Sequence, residues 1–154
     1  MKKILVSLLA AAIATPAAAA PSTSSGQGAL ALAALVGAHS PLLSASKRHA
    51  LASYLSGHHT PALAPFHVKA DSVACRAGNV DPTHHDCTLK FGAATRTLNG
   101  RAAHELFATL EENGVPGDGG AGSIFETLSA LDCTITPADF GAGGGASCTF
   151  TPGP

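Results

Sequence analysis

Stretches of regular apolar spacing alternate along this chain with stretches of glycine, proline and small polar residues, and the contrast predicts most of its elements. Leu43, Ala50, Leu51, Tyr54 and Leu55 fall on one helical stripe, with Lys47 and Arg48 outside it. Ser40 and Pro41 read as the N-cap and first residue of that helix, and Gly57 as its stop. Ala102, Ala103, Leu106, Phe107 and Leu110 define a second helix over 100–113, with Asn99 as N-cap, Gly114 at its end and Arg101 within reach of Glu105. Phe66, Val68 and Ala70 alternate with His67, Lys69 and Asp71 as in a half-buried strand. The phase then changes at Ser72 and leaves Val73 and Cys75 together, the sign of a bulge. Shorter alternating runs predict strands at 88–91, 95–98, 131–135 and 147–151.

Three stretches are less regular. Residues 21–28 (PSTSSGQG) are small and polar, and 29–38 (ALALAALVGA) is an Ala/Leu run of ambiguous type, a short helix or a frayed extension of the next one; 21–39 as a whole is assigned as a flexible tether ahead of the domain. The Gly/Pro-rich loop over 115–122 leads into 123–130, which reads as a short helix. The resulting fold class is α+β: about five mainly antiparallel strands, two helices packed on one face, in a single domain over 40–154.

The first twenty residues carry the marks of a secretory signal: Lys2 and Lys3, an apolar run over 4–13, Pro16, and Ala17 to Ala20. Cleavage after Ala20 places Ala18 and Ala20 in the A-x-A pattern, and cleavage after Ala19 fits as well. Ten apolar residues are too few to span about 30 Å of hydrocarbon, so a cleaved leader is expected, and a periplasmic or secreted product without an integral membrane segment. Losing Lys2 and Lys3 leaves seven of the nine basic residues against ten acidic ones. That mild negative charge, with six Phe, one Tyr and no Trp, disfavours a nucleic-acid partner.

Export changes the meaning of the four cysteines, Cys75, Cys87, Cys133 and Cys148. In an oxidising compartment they make two disulfides, and with no C-x-x-C neither a redox site nor a zinc ribbon is indicated. Of the three connectivities, Cys75–Cys87 with Cys133–Cys148 is preferred because each bracket spans one hairpin. The segments Asp86-Cys87-Thr88-Leu89, Asp132-Cys133-Thr134-Ile135 and Ser147-Cys148-Thr149-Phe150 share one strand pattern, with Cys and Thr on opposite sides.

Candidate chemistry centres on eight histidines, with adjacent pairs at His58-His59 and His84-His85, and with His67, Asp81 and Asp86 close by in sequence. Imidazole and carboxylate together suit zinc, nickel or copper(II), and both pairs fall in predicted loops. Adjacent side chains in an extended chain point apart, so the bland reading is a set of solvated loop histidines, and no cofactor is expected. The G-x-G-x-x-G match at 117–122 follows a helix where a nucleotide site needs a strand, and reads as a loop. His104-Glu105 lacks a second histidine and reads as helix surface. Glu111, Glu112 and Glu126 supply carboxylates without a recognisable pairing, and Arg76, Lys90 and Arg96 read as solvated strand positions. The sequence therefore points to a small exported non-enzymatic binding protein with an envelope or extracellular protein as partner, such as an enzyme that it inhibits. Two other classes stay open: a metal binder using the histidine loops, and a small hydrolase with a dispersed site.

Overall fold

A single long strand organises the sheet. The computed structural model describes residues 20–58, 63–78, 84–115, 123–137 and 145–153. In chain order these form β1 (Ser22–Ser25), α1 (Gln27–His39), α2 (Ala45–Leu55), β2 (Phe66–Ala70), β3 (Ser72–Gly78), β4 (Asp86–Phe91), β5 (Ala94–Asn99), α3 (Arg101–Glu112), β6 (Ser123–Ile135) and β7 (Ala146–Pro152). The seven strands make one antiparallel sheet in the order β1-β7-β6-β3-β4-β5, with β2 also paired to β6. The α+β class holds, with more strands than the five expected and a third helix.

β2 and β3 are two halves of one ladder. Phe66 pairs with Ile135 and Ala70 with Leu131; without slipping, Val73 then pairs with Leu128 and Gly78 with Ser123. The phase change read at Ser72 is present, and β6 changes phase in step: Ala70 and Val73 are both buried, as are Leu131 and Leu128 opposite them. Against β7 the same place is a register shift, with Leu128 opposite Pro152 and Ala130 opposite Thr151. This overturns the helix expected over 123–130. A bulged strand puts Leu128 and Leu131 three residues apart on one face, so β6 lacks the unbroken alternation that marks a strand.

The tether expected over 21–39 is instead part of the fold. Thr23 pairs with Thr149 in β1–β7, and α1 buries Ala29, Leu30, Leu32, Ala33, Ala34 and Val36 completely. A helix apolar on all sides has no stripe to detect, and its place is the interior, here against α2, α3 and β7. Ser40, expected to cap the next helix, ends α1 instead: its N–H donates to the Gly37 carbonyl at 3.1 Å. α2 starts one turn later, where Ser44 Oγ accepts from the Lys47 N–H. Gly57 and Gly114 end α2 and α3 at φ +73° and +80°, as read. Leu55, assigned to the core from its stripe, is 43% exposed, because α2 packs on α1 rather than squarely on the sheet.

α1 and α3 cover one side of the sheet, and Phe66, Val68, Leu89, Phe91, Leu131, Ile135 and Phe150 fill the space between. Both expected disulfides are formed on that covered side, each between residues that face each other directly: Cys75 with Cys87, and Cys133 with Cys148. The sulfurs sit under the helices, Cys87 Sγ 3.5 Å from the Ala103 carbonyl and Cys148 Sγ 3.3 Å from that of Ala29.

Candidate functional site

Two clusters centred on histidines stand out, on opposite sides of the sheet. The first lies where β4 begins. The Gly100 N–H donates to the His85 carbonyl at 2.9 Å, which ties the start of α3 to the residue before β4. One helical turn along, His104 then stands over His85. His85 Nε2 and His104 Nδ1 are 3.3 Å apart, and the rings meet edge to face with centroids at 4.7 Å. Phe107, the next turn of α3, contacts the His85 ring at 5.9 Å between centroids. His85 is only 7% exposed, and its Nδ1 is buried with no hydrogen-bond partner among the described residues. His104, read as helix surface, is half-buried instead. Its position beside Ala103 and Phe107, at the edge of the buried stripe, is the sequence signal for this.

The second cluster lies on the uncovered side. Pairing of β2 with β6 sets His67 opposite Thr134 and Lys69 opposite Asp132. His67 Nδ1 is 3.1 Å from Asp132 Oδ1 and 3.5 Å from Thr134 Oγ1. The carboxylate orients the imidazole through Nδ1, but both side chains are at least half exposed. Sequence proximity suggested Asp81 as the neighbour of His67; strand pairing supplies Asp132, and Asp81 lies outside the described residues.

The remaining sequence candidates are dispersed. His58 follows α2 and is exposed, and His59 lies outside the described residues. His84 is exposed while His85 is buried, so this adjacent pair points apart. Among the described residues no group of three or more His, Cys, Asp and Glu gathers as a metal site. Glu111 and Glu112 are exposed at the end of α3. The Gly-rich match at 117–122 lies outside the described residues. Arg76 stands opposite Asp86 and Lys90 opposite Ser72 on the uncovered face, whereas Arg96 alternates onto the helix side at the β5 edge. There it faces the end of α1, where partial burial, and secondarily the Arg96 charge, hold the His39 imidazole below its ordinary value of 6.5.

The uncovered side is a continuous polar surface. Thr23 and Ser25 of β1, Ser147 and Thr149 of β7, Asp132 and Thr134 of β6, His67 and Lys69 of β2, Arg76 of β3, Lys90 of β4, and Thr95, Thr97 and Asn99 of β5 are all exposed on it. It carries hydroxyls and both signs of charge, and the pairing of β3 with β6 sets Phe125 opposite Arg76. Comparison with family profiles, characterised proteins and solved structures gives no match for this chain.

Proposed function

We propose that the chain is an exported, non-enzymatic binding protein, released near Ala20 into the periplasm or the medium, and that the uncovered face of its sheet is the contact surface for a protein partner. The observation that carries this reading is the one-sidedness of the sheet: its large buried apolar residues face the helices, and the other side holds a polar array in fixed register. Two disulfides suit an oxidising compartment and restrain that surface. No described helix is long and apolar enough to cross a membrane. Lys69, Arg76 and Lys90 are interspersed with Asp86 and Asp132, a mixture that disfavours a phosphate backbone and favours a partner with complementary charges of both signs.

The test is site-specific photo-crosslinking in the native host, with the probe at Thr97 or Thr149 on the uncovered face and at Ala52 on the exposed side of α2. A discrete protein adduct from the two face positions and none from Ala52 is the expected result. The same adducts from all three positions, or none from any, overturn the reading.

A further inference from the structure

We infer that β5 is a self-association edge: two copies of the chain join β5 to β5, antiparallel about a two-fold axis at Thr97, and so continue one sheet into the other. β5 ends the sheet and, among the described residues, pairs only with β4, while α3 lies over β3, β4 and β5 and not along the outer flank. Such an edge is a row of unpaired backbone donors and acceptors, which natural proteins blunt by shortness, proline, lysine or bulges. β1, at the other end, is four residues long and begins beside Pro21, and β2 follows Pro65 and carries Lys69. β5 has none of these devices. Its residues run in unbroken register against β4, two of them are strand-favouring threonines, and Arg96 is its one charge.

The hydrogen bonds of the hairpin fix which groups point outward. The Gly100 N–H donates to the His85 carbonyl, and bonded and non-bonded pairs alternate along an antiparallel ladder. Cys87–Leu98, Leu89–Arg96 and Phe91–Ala94 are therefore the bonded pairs, and the N–H and C=O groups of Thr95, Thr97 and Asn99 turn away from β4. The Lys90 carbonyl agrees, since it accepts from the Asp71 N–H on the side away from Thr95. A second β5 must bond to those same outward groups, so a symmetric pairing that uses most of the strand is centred on Arg96 or on Thr97. Centring on Arg96 sets two guanidiniums directly opposite each other, which is repulsive. Centring on Thr97 pairs Thr97 with its own copy, Thr95 with Asn99, and Arg96 with Leu98, and no charge meets its like head on. The edge is thus complementary to itself in one register, as a two-fold contact requires. About six backbone hydrogen bonds over so short a strand make an interface smaller than the roughly 1,200 Å² of stable complexes, so the dimer is reversible. This inference follows from the edge alone and holds whether or not the uncovered face binds a partner protein.

The experiment is sedimentation velocity of the purified, oxidised chain from about 10 µM to about 1 mM, where a monomer–dimer equilibrium is expected. Thr97→Pro removes only an outward N–H, in both copies at once, and is expected to weaken the dimer by about tenfold or more while the circular dichroism stays that of the parent. Thr97→Lys, which sets two ammonium groups opposite each other, should weaken it as well, whereas Thr149→Lys, on β7, should associate as the parent does. Oxidation reads the register: Thr97→Cys should close a disulfide between copies, and Thr95→Cys should not, since Thr95 of each copy faces Asn99 of the other. A monomer at every concentration, equal association of the parent and both Thr97 variants, or equal cross-linking from the two cysteine variants overturns the assignment. So does Thr97→Cys recovered from the native host linked to another protein and not to its own copy.

Discussion

Gly37 of α1 and Leu51 of α2 touch so closely that the helix pair has no room for one added carbon. A Cβ on Gly37 would overlap Leu51 Cδ1 and stand 3.1 Å from Val68 Cγ2 and 3.3 Å from Leu43 Cδ1. α1 thus lies directly between α2 and the sheet, with a glycine at the point of closest approach. Gly37→Ala gains about 1 kcal/mol of helix propensity, while overpacking a filled interior costs about 1–3 kcal/mol. We expect net destabilisation of up to about 2 kcal/mol, read as a lower urea midpoint with unchanged slope. A midpoint above that of the parent refutes the close packing of α1 on α2.

The position of His39 gives the stability of the fold a pH dependence. Burial first, and the Arg96 charge second, lower its proton affinity in the folded chain relative to the ordinary value of 6.5. Between the lowered folded value and 6.5 the unfolded chain holds more protons, so this contribution is fully present above 6.5 and is lost as pH falls through that interval. His39→Gln removes this contribution. Denaturation midpoints at about pH 7.5 and about pH 5 should separate less in the variant than in the parent. An equal separation in both proteins assigns the acid sensitivity elsewhere.

Much of the fold is legible because periodicity and turn chemistry agree. Alternation from Phe66 to Ala70, the phase change at Ser72, the helix carrying Leu106 and Phe107, and the two hairpin disulfides all follow from local pattern. Two elements are not legible, for opposite reasons. α1 lacks an amphipathic stripe because it is apolar on all sides, its part-buried positions Ala31, Leu35 and Ala38 included, and β6 lacks unbroken alternation because its phase shifts between Leu128 and Leu131. The His85–His104 cluster depends on a crossing contact between β4 and α3, nineteen residues apart, that no motif spans. The placement of Asp132 beside His67 likewise depends on pairing of β2 with a strand sixty-five residues away. Local chemistry is readable in this chain, and the partners of its polar side chains are set by topology.

The two disulfides close loops of similar size, with sequence separations of 12 and 15, and both are completely buried. In the chain-entropy description each contributes up to about 3 kcal/mol. Their surroundings differ: Cys133–Cys148 joins β6 to β7, which also holds the N-terminal strand β1, while Cys75–Cys87 joins β3 to β4 under α3. Replacing either pair by Ala should lower stability by about 2–3 kcal/mol in urea titrations. Loss of Cys133–Cys148 should also raise hydrogen exchange in Ser22–Ser25, which pair only with β7, whereas loss of Cys75–Cys87 should leave that strand protected. Equal exchange in β1 for both variants would show that β7 is held by its helix contacts alone.

Asn113 connects three elements that are remote in sequence. Its Nδ2 donates to the Gly28 carbonyl at 3.2 Å and the Thr109 carbonyl at 2.8 Å, and its Oδ1 accepts from Ser24 Oγ. The end of α3 is thereby fixed to β1 and to the first turn of α1, where no side chain caps the helix. Net hydrogen bonds of this kind stabilise by about 0.5–1.5 kcal/mol each, and these are partly exposed, so Asn113→Ala should cost about 1–2 kcal/mol in total. Asn113→Asp separates the contributions: a carboxylate still accepts from Ser24 but cannot donate to Gly28 or Thr109, and its charge at a helix C-terminus opposes the dipole. It should therefore be no more stable than Asn113→Ala. Both variants should show faster hydrogen exchange in Gln27–His39 near its first turn while β4 and β5 remain as protected as in the parent. Protection of α1 unchanged in both would mean that burial of Leu30 and Leu32 alone holds the helix start, and that Asn113 serves only to end α3.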